Sequence, residues 1–480
     1  MNSYNLLSQN WIPVLYHNGD FKRVGILKAF QDAHRIRQVA ASNPMDRLAI
    51  LRFLLALLYW CKGNPANGPQ AAPYEPFPPD WFLKLEQNKE CFDLFGETRR
   101  FYQYKKPVGE DKRLTANYLV HEVPTGTNAW HFRHSTDEVN GLCRACCAMG
   151  LLRLPAFATS GGRGKPPGIN SKPPLYVIPL RGSLAATVRL SWRPVGPLGT
   201  PAWEKPDVQL PGIGEVPLLT GLTWLPRRVW LDSPAERAET CISCGRSERL
   251  ILRTVFAPIG STKTEEGEPV RAWCDPHVIY GMSAKGEISS LHARDALGAP
   301  DAAAGQWANI LAGLLRKGQT GNASPCWIVG FSTVQNDKYL EAVECQIPCD
   351  IDQAPQEQRD ECLNNLEQWR KGKWGFAKNL GSDNEKGERR EHREITSMLA
   401  SIGPHVEKQV SEKSGSLIAG GETAWQEAAK AFRPMMRLAA QSLSPGFTIQ
   451  AARIRKRIAN AMPNMTPKAA KKGRGKGRDK

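Results

Sequence analysis

Cys143-Arg144-Ala145-Cys146 and Cys241-Ile242-Ser243-Cys244 are two C-x-x-C knuckles that lie far apart in the chain. The two-residue spacer lets both thiolates of a knuckle point at one ion, and four thiolates match the tetrahedral preference of a structural zinc. Such a centre would tie two distant segments into one fold. With no open coordination position it reads as scaffold rather than metal catalyst. Cys274-Asp275-Pro276-His277 offers a second arrangement, a C-x-x-C…C-x-x-H ribbon with Cys241 and Cys244 that leaves Cys143 and Cys146 free. Buried, unligated thiols are the plain alternative to both.

The compartment bears on that choice. The chain has 12 cysteines in 480 residues. Its opening, Met1 to Asn5, lacks a basic stretch followed by an apolar one. The longest apolar run, Leu48 to Trp60, is too short to span a bilayer and contains Arg52. These features predict a cytoplasmic, reducing setting with no membrane partner, where paired cysteines bind metal more often than they form disulfides.

The net charge is +17. The stretch Lys468 to Lys480 carries seven Lys/Arg and one acid, or +6, which leaves +11 on the rest. The basic character is therefore not a tail effect alone, and it points to a polyanionic partner, nucleic acid first. The Gly-interrupted run Lys471 to Arg478 is expected to be disordered and to add nonspecific phosphate contacts.

The pattern predicts an α+β protein. Residues 1–350 read as a large mixed α/β domain with the zinc site, residues 351–465 as a four-helix bundle, and residues 466–480 as a disordered basic tail. Leu6 to Leu15 reads as a strand, Gly19-Asp20 as a turn, and Phe21 to Val24 as a second strand. Asn43-Pro44 is a helix start, a cap followed by proline in the first turn. Leu48, Leu51, Leu55 and Leu58 mark that helix's buried face. Residues 61 to 82, rich in Pro, Gly and Asn, read as a loop. Further strands are expected at Tyr176 to Leu180, Ala186 to Leu190, Val229 to Leu231 and Cys326 to Phe331. The bundle rests on apolar stripes at Cys362–Trp369, Ile395–Val406, Trp425–Met436 and Ile454–Ile458.

Three segments are candidate nucleic-acid contacts, with an ordinary loop around a buried Trp the alternative for the first and a flexible surface loop the alternative for the second. Thr125 to His134 interleaves Trp130, His131, Phe132, Arg133 and His134, so aromatics could stack on an unpaired base while cations meet phosphate. Ser160-Gly161-Gly162-Arg163-Gly164-Lys165 is not a Walker loop, but its glycines allow close backbone approach to a groove or phosphate, with Arg163 and Lys165 supplying charge. Val334-Gln335-Asn336-Asp337 reads as a hairpin tip, or as a protruding amide pair that meets base edges or splits a base step. No H-E-x-x-H, Walker or G-x-S-x-G pattern is present, and the nine histidines are scattered.

The order of these features resembles the CasA family, the large subunit of the type I-E CRISPR surveillance complex Cascade. Asn5-Leu6-Leu7-Ser8-Gln9-Asn10-Trp11-Ile12-Pro13-Val14, then Phe92-Asp93-Leu94-Phe95-Gly96 and Phe101-Tyr102-Gln103, resemble the family's signatures. Thr127-Asn128 through Phe132 and His134 is similar to its loop L1, and both knuckles occur where some members carry zinc.

The resemblance implies a DNA-recognition protein without nuclease activity. It implies partnership with the other Cascade subunits (backbone, small subunit and guide-end subunits), the CRISPR RNA, double-stranded target DNA and a helicase-nuclease. It implies that Gly161, Gly162 and Gly164, beside Arg163, meet the minor groove next to the target. It implies that Gln335 and Asn336 tip a wedge, with the order of the amides swapped, and that Asn128 and Phe132 face the guide RNA. The family's lysine finger falls where this chain has Leu291 or His292, so His292, Arg294 or Lys285 takes that place. The resemblance also selects Cys143, Cys146, Cys241 and Cys244 as the structural Zn2+ ligands. Two rival readings are a zinc-braced, metal-dependent nuclease and a free-standing basic RNA-binding protein.

Overall fold

The computed structural model describes residues 3–348 apart from 66–74, 105–112, 121–140, 159–165, 171–174, 209, 211–213, 260–270, 274, 280–283, 286–322 and 335–336. The expected four-helix bundle and basic tail lie outside the described residues. The chain divides into two units: Met1–Ile288 with Ala299–Gly318 and Trp327–Ala342, and Ser289–Gly298 with Gln319–Cys326 and Val343–Lys480. The first unit contains the elements that position the cysteine knuckles.

It opens with β1 (Ile12–Tyr16), β2 (Phe21–Val24), α1 (Ile26–Gln31) and β3 (Ile36–Val39). The strands form an antiparallel sheet in the order β2-β1-β3, with Ile12 opposite Val24 and Val14 opposite both Lys22 and Val39. The strand expected from Leu6 starts only at Ile12. Before it, Asn5 Oδ1 accepts the Leu7 N–H at 3.0 Å, and the Trp11 indole donates to the Leu6 carbonyl at 2.9 Å. These local side-chain bonds turn the backbone out of a ladder.

The central helix α2 (Pro44–Lys62) begins as the sequence dictates. Asn43 Oδ1 accepts the Met45 N–H at 2.7 Å, and Pro44 occupies the first turn. Leu48, Leu51, Leu55 and Leu58 are buried, but so are Ile50, Phe53, Leu54 and Leu57 on the other faces. A helix apolar all round is a core helix rather than a surface one. It packs against α4 (Arg144–Phe157), α5 (Leu184–Ser191) and α6 (Leu218–Thr223). Between α2 and α4 come the short helix α3 (Leu83–Gln87) and strand β4 (Arg113–Thr115). The stretch expected as loop from 61 to 82 instead includes Cys61 and Lys62 at the end of α2 and a 3₁₀ turn at Pro79–Phe82.

The remaining strands are β5 (Leu175–Pro179), β6 (Gly214–Glu215), β7 (Arg228–Leu231), β8 (Ala238–Thr240), β9 (Ser247–Arg249), β10 (Arg253–Ala257), β11 (Arg271–Ala272), β12 (Val278–Ile279), β13 (Ala284–Lys285), β14 (Ala323–Val334) and β15 (Asp337–Pro348). One sheet runs β4-β10-β7, another β12-β5-β14-β13 with β15 paired to β14, and β8 and β9 form a two-stranded ribbon. The strands expected at Tyr176, Val229 and Cys326 are β5, β7 and β14. The one expected at Ala186 to Leu190 is instead part of α5. Ser183 Oγ accepts the Ala186 N–H at 3.2 Å, and this cap with Leu184-Ala185-Ala186 behind it outweighs the β-branched Thr187 and Val188.

The signature segments meet at one knot. Leu6 N–H donates to the Phe92 carbonyl at 2.9 Å, and Leu94 N–H to the Tyr4 carbonyl at 3.1 Å. Asp93 accepts the Tyr4 and Phe95 amides and the Ser3 hydroxyl. Gln103, also buried, donates to the Leu94 carbonyl and accepts the Leu231 N–H, each at 2.8 Å. Phe101 stacks on Tyr102 with ring centroids 4.4 Å apart. These residues hold the N-terminal segment onto the core.

Candidate metal centre and the segments around it

Cys143 occupies the N-cap position of α4, without a side-chain capping bond, and Cys146 lies in its first turn. Cys241 and Cys244 occupy the turn of the β8–β9 ribbon. That turn is closed by the Cys241 N–H on the Arg246 carbonyl at 2.8 Å and the Gly245 N–H on the Cys241 carbonyl at 2.9 Å. Gly245 has φ 70°, the left-handed region that glycine adopts without strain. The helix start is brought to the ribbon by backbone pairing. Leu142 and Ile251 exchange N–H···O bonds of 3.0 and 2.8 Å, and Ile242 N–H reaches the Gly141 carbonyl at 3.3 Å.

All four sulfurs lie within 4.8 Å of one another, and Cys143 Sγ is 3.6 Å from Cys244 Sγ. A tetrahedral ion with metal–sulfur bonds of about 2.3 Å needs sulfur–sulfur edges of about 3.8 Å. The donor set therefore fits zinc in number, chemistry and spacing. Cys143 and Cys241 are buried, Cys146 and Cys244 half-buried. Hydrogen bonds from Cys143 and Cys146 hold Cys241 far below the ordinary thiol range, while hydrogen bonding to Cys143 and Cys241, with burial, pushes Cys146 far above it. The Cys143 N–H donates to Cys241 Sγ at 3.3 Å, and the Arg246 guanidinium reaches Cys244 and Cys143 Sγ at 3.5 Å each.

The alternative ribbon with His277 is not what the chain builds. His277 is buried elsewhere, its Nε2 2.9 Å from Ser191 Oγ at the end of α5. Its partner in that scheme, Cys274, lies outside the described residues.

Ser191, His277 and Asp275 superficially resemble a hydrolytic triad. Geometry rejects it. His277 Nδ1 has no hydrogen-bond partner among the described residues, whereas a triad needs the acid there. Asp275 instead accepts Arg52 through both oxygens, the Asn170 amide at 2.9 Å and the His277 backbone N–H at 3.0 Å. Ser191 is itself buried. The set is a structural polar network.

Asn128, Phe132, Gly161, Gly162, Arg163, Gly164, His292, Gln335 and Asn336 lie outside the described residues, but their flanks do not. α4 ends at Phe157, and the Gly168 N–H then donates to the Ala158 carbonyl at 2.8 Å. Buried Arg227 donates to the Pro166 carbonyl at 2.5 Å. A Cβ on Gly168 would stand 2.7 Å from the Pro155 carbonyl oxygen, so this glycine is required by packing. Gln335 and Asn336 fall between β14, which ends at Val334, and its partner β15, which starts at Asp337. Sequence reasoning missed Arg246, Glu248, Arg52 and Asn170. Of these only Arg246, two residues past Cys244, offered a signal, as a cation beside a thiolate knuckle.

A mixed α/β core in which a four-cysteine cluster joins a helix start to a β-ribbon defines the class: an α/β protein with a metal-type site. Within that class the chain belongs to the CRISPR-associated protein Cse1 (CRISPR_cse1) family, whose model matches residues 5–466. It is 28% identical over 228 residues to a CRISPR-associated protein CasA/Cse1 of Thermus thermophilus. That match spans 44% of this chain and 44% of the relative's length. Its fold is similar to the crystal structure of Thermobifida fusca Cse1, with a TM-score of 0.64, 18% identity, and 97% and 99% of the two chains covered. It is also similar to a chain of a CRISPR RNA-guided surveillance complex, with a TM-score of 0.59, 15% identity, and 96% and 99% covered. Among the described residues no helix is long and apolar enough to cross a membrane.

Proposed function

We propose that this chain is the large subunit of a type I-E CRISPR RNA-guided DNA surveillance complex. It recognises a short motif in duplex DNA, helps open the duplex, and recruits a helicase-nuclease. The observation that carries the reading is the family match across residues 5–466. The shared fold with a chain of an RNA-guided surveillance complex and the +17 charge support it.

The physical division of labour is that guide pairing reads sequence while protein reads the adjacent motif and the duplex shape. Gly161, Gly162 and Gly164 admit the backbone to the minor groove, Arg163 meets phosphate, and His292, Arg294 or Lys285 takes the place of the family's lysine. Gln335 and Asn336 tip the wedge at the β14–β15 turn. Asn128 and Phe132 contact the guide RNA. The Cys143/Cys146/Cys241/Cys244 centre holds a structural zinc, which fixes the start of α4, the helix that leads to the glycine segment. Residues 351–465 are proposed as the C-terminal helical bundle. The chain performs no chemistry of its own and works in the cytoplasm.

The test is reconstitution. A guide RNA–protein complex assembled without this subunit should bind motif-bearing duplex weakly, and adding the purified chain should restore binding that depends on the motif. Dose-dependent DNA cleavage by the chain alone with added divalent metal would favour the nuclease reading. Guide-RNA binding with no effect on the complex would favour the free-standing one.

A further inference from the structure

Arg246 engages all three guanidinium nitrogens at the cysteine centre. Nε lies 3.5 Å from Cys244 Sγ, Nη2 3.5 Å from Cys143 Sγ, and Nη1 3.3 Å from Glu248 Oε1. The two sulfurs come from different knuckles, so one planar fork spans the junction between helix start and ribbon. Glu248 fixes the fork from behind. Its other oxygen is 3.9 Å from Arg144 Nε, and the Arg144 guanidinium lies over the Tyr4 ring at 5.0 Å.

The centre's charge explains why a cation is needed there. Four thiolates around a divalent ion leave two negative charges uncompensated. Half-burial removes much of the water that would solvate them, and uncompensated charge in such a place is costly. Charge-assisted N–H donors to the ligands offset that cost. Cys241 receives the Cys143 backbone N–H, while Cys143 and Cys244 receive Arg246. Among the described residues Arg246 is the only side-chain cation within hydrogen-bond distance of these sulfurs.

We propose that Arg246 is a positioning residue for the metal: it compensates the charge of the thiolate centre and clasps one sulfur of each knuckle, and so governs how tightly the ion is retained. The inference rests on the zinc reading above and adds to it a residue that is not a ligand. An arginine is suited to the role because its fork reaches two sulfurs and a carboxylate at fixed angles, which a lysine point charge does not. Glu248 acts through Arg246 by holding its orientation.

The experiment uses the full chain loaded with zinc and follows zinc transfer to a colorimetric chelator at fixed pH, in wild type, Arg246→Gln, Arg246→Lys and Glu248→Gln. Arg246→Gln keeps much of the size and hydrogen-bonding capacity but loses the charge. It should surrender zinc about 10- to 100-fold more readily. Arg246→Lys should fall between it and wild type, and Glu248→Gln should show a smaller loss of the same sign. Melting of the zinc-free proteins should be the same for all four, which separates metal retention from packing. Equal zinc retention in wild type and Arg246→Gln would overturn the role of Arg246 while leaving the zinc site standing. A wild-type chain that takes up no zinc at all would overturn the site and this inference together.

Discussion

Arg52 and Asp275 meet as a buried bidentate pair, Nη1 to Oδ1 at 2.6 Å and Nη2 to Oδ2 at 2.7 Å, across 223 residues of sequence. The pair fastens the core helix α2 to the segment that enters β12. Asn170 adds a third donor, and the Tyr176 ring covers the guanidinium at 5.0 Å. Removing one partner leaves the other charge buried and alone. Asp275→Ala should therefore cost about 3–5 kcal/mol in unfolding by urea. Arg52→Met with Asp275→Leu should cost much less, because neither charge remains. Equal losses in the single and double variants would contradict this account.

The same network sets an acid limb to stability. Burial, reinforced by Arg52, pushes the His277 imidazole down from 6.5 to about 3. Below pH 6.5 the unfolded chain binds a proton that the folded chain refuses, so stability falls as pH drops from 6.5 towards 3. Burial raises the Asp275 carboxyl, but Arg52 overrides it and holds the group below its ordinary 3.8. Its contribution is present above pH 3.8 and is lost at still lower pH. His277→Gln, with an amide to meet Ser191, should reduce the pH slope of stability by about one proton between roughly pH 6 and pH 4. Denaturant titrations across that range would show it, and an unchanged slope would assign the limb to other groups.

Cys143→Ser with Cys146→Ser removes the helix's half of the centre. Zinc content, read by mass spectrometry of the purified protein, should fall to background, and the melting temperature should drop. Since α4 runs from this centre to the segment at 159–165, motif-dependent DNA binding should weaken in the same variant. Full zinc content would exclude this ligand set.

Much of this fold was legible where the signal was local. Asn43-Pro44 announced α2 because cap and proline act within one turn, and the C-x-x-C spacing announced a shared ion because each knuckle is self-contained. What escaped was set by distance. Nothing in the neighbourhood of Arg52 says that its partner stands at Asp275, and a buried arginine in an apolar run reads as an interruption. The Ala186 stretch was misread because a short apolar run fits helix and strand alike, and only the Ser183 cap, a single residue, arbitrates. The pairing of the two knuckles came from family resemblance; residue spacing left Cys274 and His277 open, and the burial of His277 against Ser191 closes that option.

The basic stretch from Lys468 to Lys480 carries +6 and no apolar anchor. Deleting it should weaken nonspecific DNA binding and reduce the log–log salt slope by about 0.9 for each phosphate that the tail no longer neutralises. Motif preference should be unchanged, since phosphate contacts position a protein without reading sequence. A shift in preferred motif on truncation would place sequence-reading contacts in the tail.

The hairpin of β14 and β15 bears on duplex opening. Gln335 and Asn336 stand between the last residue of one strand and the first of its partner. If they tip a wedge, their work is to replace stacking and pairing at the first base step opened beside the motif. Unstacking costs on the order of a few kcal/mol per step, enough to stall opening when nothing offsets it. Gln335→Ala with Asn336→Ala should then slow guide–target pairing on intact duplex, yet leave nearly normal binding to a target already bubbled next to the motif. Gly161→Asp should behave differently. Its bulk and its charge against phosphate should impair motif recognition even on bubbled DNA that keeps a duplex motif. The two substrates therefore separate opening from recognition, and a Gln335/Asn336 double variant equally defective on both would move the wedge elsewhere in the chain.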